Sequence, residues 1–293
     1  MASDVLPSEI LTEIFSRLHP QSLLRFRSTS KSLKSIIDSH NFTNLHLKNS
    51  HNFNLILRHN TNLYQLHFPN LTTPLPLHHP LSYTKRITLF GSCNGLICIS
   101  SNTETAFWNP NIRKHQIIPN LPVSIPQSET KIHYAFFTYG FGFDPLSSDY
   151  KLIRISWFVD LQNSTFDSYV RLFTSKTNSW KVLPSIDYVL CYALTMGVFV
   201  ENSLHWITVK NPDGLHPRLI VAFNLTLELF NEVNHKKLVW YDLKSQVSYV
   251  EGIPNFDEAM ICVGSLVPPS FPVDNSRKKG NHSSKSKRRT RIL

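Results

Sequence analysis

One pattern recurs through the middle of this sequence: a strand containing aromatic residues, a polar turn, and a second strand. It occupies residues 106–119, 170–184, 221–233 and 239–254. Asn, Asp, Thr or Ser opens each turn, and proline closes the second strand in three of the four copies. The first three copies begin about 50 to 65 residues apart, a period that is typical of repeated sheets arranged side by side.

A second kind of unit, an inner strand pair, precedes each of the first three copies. These pairs are predicted around 91–100, 141–156 and 198–208. Two hairpins make a four-stranded sheet, and such sheets with aromatic residues between them bury both faces in the blades of a β-propeller. We therefore predict an all-β, propeller-like domain, with a non-repetitive β-sandwich as the alternative.

The fourth copy begins too early to follow this scheme. Only about 18 residues separate Phe223 from Tyr241, which leaves no room for an inner strand pair. The sequence predicts that the β domain lacks an internal segment near Asn234-His235, through splicing or deletion. An incomplete propeller would expose unpaired strand edges, so we expect reduced stability or dependence on a partner.

The N-terminal residues 6–38 carry a different pattern, that of three short helices. Pro7 suits the first helical position, and Glu9 places a negative charge near the positive end of the helix dipole. Pro20 ends the first helix. About forty residues cannot bury so many large apolar groups alone, so part of the apolar stripe is expected to face a partner or the rest of the chain.

The order of residues over 4–45 resembles the F-box, the helical module that binds a Skp-type adaptor. The resemblance implies that the apolar anchors bind that adaptor. These anchors are Leu6, Pro7, Ile10, Ile14, Leu18, Pro20, Leu23, Leu24 and Phe26. Family members often have cysteine or tryptophan where Ser28, Ser30 and Leu33 stand, which lowers the adaptor affinity that we expect.

Residues 85–265 resemble the plant F-box-associated, kelch-like interaction domain. The matching segments are GSCNGLICI (91–99), FWNP (107–110), YGFGFDPLSSDYKLIRI (139–155), SWKVLP (179–184), SLHWI (203–207) and AFNLTLELF (222–230). The expected class is α+β multidomain, a three-helix F-box followed by an incomplete kelch-type β domain. Its expected parts are an F-box (1–45), a linker with a first hairpin (46–84), the propeller-like domain (85–266) and a disordered basic tail (267–293).

Together these resemblances imply a substrate-recognition subunit of a Skp–cullin–F-box ubiquitin ligase. The implied partners are a Skp-type adaptor, the cullin and RING subunits reached through it, and a target protein that the sequence does not identify. Two alternatives stay open: a truncated decoy that binds the adaptor without recognising a target, and a plain protein-interaction β domain.

No enzyme signature accompanies this organisation. The sequence contains no Gly-rich phosphate loop, nucleophile elbow or zinc motif, so we expect no catalytic residue, metal or cofactor. His78-His79 has no third ligand at a fixed spacing and is interpreted as a pair of exposed loop histidines. The four cysteines show no paired spacing, so neither a disulfide framework nor a zinc site is indicated.

The net charge of +10 arises mostly from the C-terminal tail, which holds eight of the 30 basic residues. The tail resembles a weak nuclear localisation signal formed by Arg277, Lys278, Lys279, Lys285, Lys287, Arg288 and Arg289. A solvated tail without function is the alternative, and nucleic-acid binding is not expected. Lacking a signal peptide or a run of eighteen apolar residues, the chain is expected to be soluble, without membrane partners, in the cytoplasm, the nucleus or both.

Overall fold

Within the residues that it describes, the computed structural model consists of four helices followed by seventeen strands. Those residues are 6–49, 52–68, 73–82, 87–101, 103–121, 134–160, 162–191, 195–210, 212, 217–233 and 258–269. A small helical module is thus followed by an all-β, propeller-like domain, which confirms the predicted fold class. The basic tail and the fourth predicted copy at 239–254 lie outside the described residues.

The helical module has one helix more than the three predicted. Its helices are α1 Ser8–Phe15, α2 Pro20–Arg27, α3 Lys31–Ile37 and α4 His40–Asn49. Few apolar residues mark α4 in the sequence, but Phe42 and His46 are buried. The His46 Nε2 donates a hydrogen bond to the Leu18 carbonyl at 2.9 Å, so contacts with α1 and its following turn stabilise this helix.

The strands of the β domain form four antiparallel sheets, which we call blades A to D. In chain order the strands are β1 Phe53–His59, β2 Asn62–His67, β3 Leu75–Leu77, β4 Thr88–Cys93, β5 Leu96–Ser100, β6 Thr105–Asn109, β7 Lys114–Ile118, β8 Tyr134–Asp144, β9 Asp149–Asp160, β10 Thr165–Thr174, β11 Ser179–Leu183, β12 Val189–Leu190, β13 Val198–Val200, β14 Ser203–Val209, β15 Leu219–Asn224, β16 Leu229–Glu232 and β17 Glu258–Val263.

Blades B and C are four-stranded sheets in chain order, β4 to β7 and β8 to β11. Blade D runs β12-β14-β15-β16, with β13 also paired to β14. Each of these blades joins a predicted inner pair to a predicted outer pair, so the first three copies of the repeat are confirmed. The inner strands β17, β4, β8 and β13 lie side by side in that order. Four blades agree with the expectation of a shortened propeller.

The β domain begins earlier in the chain than expected, because it includes blade A, a sheet with the strand order β17-β1-β2-β3. The hairpin β1–β2, which the sequence assigned to a linker, belongs to the β domain, because β1 pairs with β17 from Phe53↔Val263 to Arg58↔Glu258. Arg58 is buried and its Nε lies 3.0 Å from the Glu258 carboxylate. No local pattern in the sequence indicates this pairing, because the two strands are the first and the last in the described part of the chain.

Aromatic side chains fill the space between the blades. Phe107 of blade B lies 4.6 Å from Phe141 of blade C, measured between ring centroids. Between blades C and D, the Trp206 ring lies so close to the backbone of Gly140 and Gly197 that an added Cβ would approach it to 2.7 and 2.4 Å. Only glycine fits at these two positions, so packing determines the residue type there.

Candidate functional site

Three exposed apolar side chains form a stripe at the start of the helical module. Ile10 and Ile14 lie one helical turn apart on α1, and Leu6 precedes this helix, next to its N-cap Pro7. Leu6, Ile10 and Ile14 are 52%, 47% and 47% exposed, respectively. Exposed aliphatic side chains in a continuous row are a feature of protein-binding helix faces.

The opposite side of α1 packs into the core of the helical module. Phe15 is buried there with Leu23, Ile37 and Phe42. The Phe26 ring of α2 stacks on Phe15 with centroids 5.2 Å apart and an interplanar angle of 18°, yet Phe26 remains 39% exposed. Phe26 therefore presents an aromatic edge beside the first helix.

The predicted adaptor anchors fall into three groups by exposure. Leu6, Pro7, Ile10, Ile14 and Phe26 are exposed, Leu18 and Leu24 are half-buried, and Pro20 and Leu23 are buried. Leu23 is fully buried in the core, so its predicted contact with an adaptor is corrected to a supporting role. The same holds for Pro20. A short helix with apolar residues on two sides does not reveal from its spacing which side faces inward.

Charged residues around the stripe stabilise the module locally. The Arg27 guanidinium binds the Asp38 carboxylate through Nε at 2.5 Å and Nη2 at 2.8 Å, which joins α2 to the C-terminal end of α3. Arg17 pairs with Glu13 one turn earlier on α1, at 2.5 Å. These exposed pairs contribute little stability each, and Arg25 and Lys31 are exposed at the rim.

A segment from the C-terminal side of β17 fixes the module to the β domain. Leu266 is buried in the core of the helical module, and the Asn109 side chain holds the neighbouring backbone. The Asn109 Nδ2 donates to the Ser265 carbonyl at 3.1 Å and to the Val267 carbonyl at 2.9 Å. Asn109 belongs to the FWNP segment, whose role in this attachment the sequence did not reveal.

Three histidines meet where the helical module touches blade A. The rings of His19 and His67 lie 5.6 Å apart in an edge-on arrangement. Burial lowers the pKa of His19, and the nearby His67 and His46 lower it further. Burial also lowers the pKa of His46, against the opposing effect of its hydrogen bond to Leu18. The joint is therefore most stable when the His19 and His46 imidazoles are neutral.

Metal-binding groups are not assembled in the described part of the chain. There, no group of three His, Cys, Asp or Glu residues is placed to hold a metal ion. The sequence predicted that His78 and His79 are both exposed loop histidines. His78 is exposed, but the prediction is wrong for His79, which is buried with its Nε2 3.2 Å from the Thr61 carbonyl. No helix in the described ranges has the length and apolar character needed to cross a membrane.

Comparison with known families agrees with both parts of the structure. Residues 4–45 match the F-box domain, and residues 45–248 match the F-box associated beta propeller domain. This chain is a plant-type F-box protein with an F-box-associated domain. Neither matched family is an enzyme family.

Curated relatives of this F-box protein come from Arabidopsis thaliana. It is 30% identical to F-box protein CPR1, in an alignment covering 88% of this chain and 68% of the relative. It is 27% identical to F-box protein At4g22390, over 84% of this chain and 65% of the relative. It is 25% identical to F-box protein At3g07870, over 78% of this chain and 60% of the relative. The chain thus spans about two thirds or less of most relatives that it matches.

Proposed function

We propose that this protein is a substrate-recognition subunit of a Skp–cullin–F-box ubiquitin ligase. The observation that carries the proposal is the exposed stripe of Leu6, just before α1, and Ile10 and Ile14 on α1, because the core of the module is complete without these side chains. Binding a Skp-type adaptor would bury this row, and a few apolar anchors supply most of the affinity in such interfaces.

The β domain serves as the target-binding part in this proposal. The F-box is seated on it by Leu266 and by the Asn109 hydrogen bonds, so a target held by the blades has a defined orientation relative to the adaptor. Cullin and RING subunits joined through the adaptor would bring the ubiquitin-loaded enzyme near the target. Transfer is then accelerated by a raised effective concentration, without catalytic residues in this chain. The ligase would act in the cytoplasm, the nucleus or both.

A pull-down with an immobilised Skp-type adaptor tests the proposal. The double variant Ile10→Asp, Ile14→Asp should lose at least about a hundredfold in adaptor affinity, because two charges would be desolvated in the interface. A matched control is Leu146→Asp, Leu227→Asp, since both leucines are exposed in turns of the β domain and should leave binding unchanged. Equal binding by the wild-type chain and the α1 double variant would contradict the proposal. Adaptor binding with no recovered target would favour the decoy alternative.

A further inference from the structure

Two arginines lie side by side on the face of blade C that turns toward blade B. Arg154 of β9 and Arg171 of β10 are directly opposite in the antiparallel register, and Tyr139 of β8 is opposite Arg154. Residues paired in this way project from the same face of a sheet. Arg154 is only 7% exposed, and Arg171 is half-buried.

Neither guanidinium has a carboxylate partner in the described part of the chain. The Arg171 Nη1 donates to the Val170 carbonyl at 3.2 Å, while the buried Arg154 Nε has no acceptor among the described residues. Arg154 instead lies over the rings of Phe137 and Tyr139, at 4.7 and 5.6 Å from their centroids. Like charges opposite each other, one of them largely buried, are unfavourable unless an anion neutralises them.

The surface beside these arginines is apolar and accessible. Strands β8, β9 and β10 have 11, 12 and 10 residues, whereas β4, β5 and β6 of blade B have 6, 5 and 5. Tyr139 already reaches Thr105, the first residue of β6, so earlier residues of β8 extend past blade B. Phe137 is 46% exposed, and Val182, opposite Arg171 on β11, is 69% exposed.

Arginine surrounded by exposed aromatic and aliphatic side chains is the composition of interface hot spots. We propose that this surface, the Arg154–Arg171 face, binds an acidic segment of the target protein. An Asp or Glu carboxylate of the target lies between the two guanidiniums, and an adjacent apolar side chain packs on Phe137 and Val182. The proposal rests on the target-binding role proposed above and adds the chemistry that the target must present.

Peptide binding to the full-length chain in complex with a Skp-type adaptor tests this assignment. The probe is a fluorescein-labelled ten-residue peptide of alternating Glu and Phe, compared with peptides in which Gln or Lys replaces every Glu. Fluorescence anisotropy should show at least tenfold tighter binding of the Glu peptide than of the Gln peptide, weakening as salt is raised. Equal affinity for the Glu and Gln peptides would overturn the proposal, and so would tighter binding of an oligothymidine.

Variants locate the binding face. Arg171→Gln should weaken binding of the Glu peptide at least tenfold, because it removes the more accessible guanidinium. Arg113→Gln is the matched control, since Arg113 is an exposed cation in the turn between β6 and β7. An unchanged affinity for Arg171→Gln, or an equal loss for Arg113→Gln, would contradict the assignment by indicating that general positive charge attracts the peptide.

Stability provides a second and independent measurement. Since the two cations repel each other in the free chain, Arg171→Gln should leave Tm unchanged or raise it, and the Glu peptide should raise the Tm of the wild-type chain. A lower Tm for Arg171→Gln would indicate a structural arginine and overturn the proposal. Adaptor binding by Arg171→Gln should be normal, so failure of this inference is distinguishable from failure of the ligase proposal.

Discussion

The four N-terminal helices bury a core made mostly of residues close in sequence, whereas blade A joins the first described strand to the last. The helical core depends on apolar side chains such as Phe15 and Leu23. Blades C and D are joined in addition by a buried polar network centred on Lys151. The two parts should therefore respond differently to substitution: the helices to lost packing, and the blades to lost charge pairing.

The largest effect is expected in the blades, for Lys151→Met. The Lys151 Nζ donates to the Asp144 carboxylate at 2.9 Å, to the Leu225 carbonyl at 2.5 Å and to the Glu228 carboxylate at 3.1 Å, and so links blade C to blade D. Removing the cation leaves the buried Asp144 uncompensated, which should cost about 3 to 5 kcal/mol of unfolding free energy.

Chemical denaturation of the full chain measures this change. Lys176→Met is the matched control, because Lys176 is exposed and its Nζ contacts only the Ser147 carbonyl among the described residues. It should change the unfolding free energy by less than about 0.5 kcal/mol. If the two lysine variants were equally stable, the network would not join the blades as we describe.

In the helical module, the largest loss should come from a core leucine. Leu23→Ala removes a fully buried side chain and should cost about 3 kcal/mol, within the usual range for such cavities. Ile14→Ala, at an exposed position on the same module, should cost less than about 0.5 kcal/mol but weaken adaptor binding. Thermal denaturation and adaptor pull-down should thus rank the two variants in opposite order. The same rank in both assays would mean that core and docking surface are not separate.

The junction of the two parts should show a smaller effect. Asn109→Ala removes the hydrogen bonds to the Ser265 and Val267 carbonyls and leaves both buried acceptors without this donor. We expect a loss of about 2 kcal/mol, measured by denaturation. Asn111→Ala is a suitable control, because the Asn111 backbone amide, which alanine retains, donates the hydrogen bond to Asn109 Oδ1 at 2.9 Å. A stable Asn109→Ala variant would show that Leu266 alone suffices to seat the module.

The sequence predicted the helices and strands of this fold better than it predicted which strands pair with each other. Short-range signals located the helices over 6–38 and the paired strands of blades B to D, because both depend on local periodicity and turn residues. The pairing of β1 with β17 was not predictable, since no local pattern records a contact between distant strands. For the same reason the candidate surface was only partly predicted. The adaptor anchors stay a prediction, and the separation of buried Leu23 from exposed Ile14 requires knowledge of which helix face is covered.

The smallest expected effect is the pH dependence of stability, which involves histidines at the joint and a carboxylate in the blades. Burial lowers the pKa of His46 and of His19 at the joint, so the unfolded chain, with an ordinary histidine pKa near 6.5, takes up protons first as the pH falls. Stability is therefore complete above about pH 6.5 and decreases below it. In the blades, hydrogen bonds from Ser147, Thr226 and Lys151 overcome the effect of burial and lower the pKa of Asp144, so its contribution is lost only in stronger acid.

Between pH 7.5 and 5.5 we expect Tm to fall by about 2 to 4 °C, before most carboxylates titrate. His46→Gln removes one titrating group and can retain a donor to the Leu18 carbonyl, so it should reduce this fall. Ser35→Gln, at an exposed position of α3 without a titratable side chain, should leave the pH dependence unchanged. A wild-type Tm that stays constant over this range would mean that protonated histidines are tolerated at the joint.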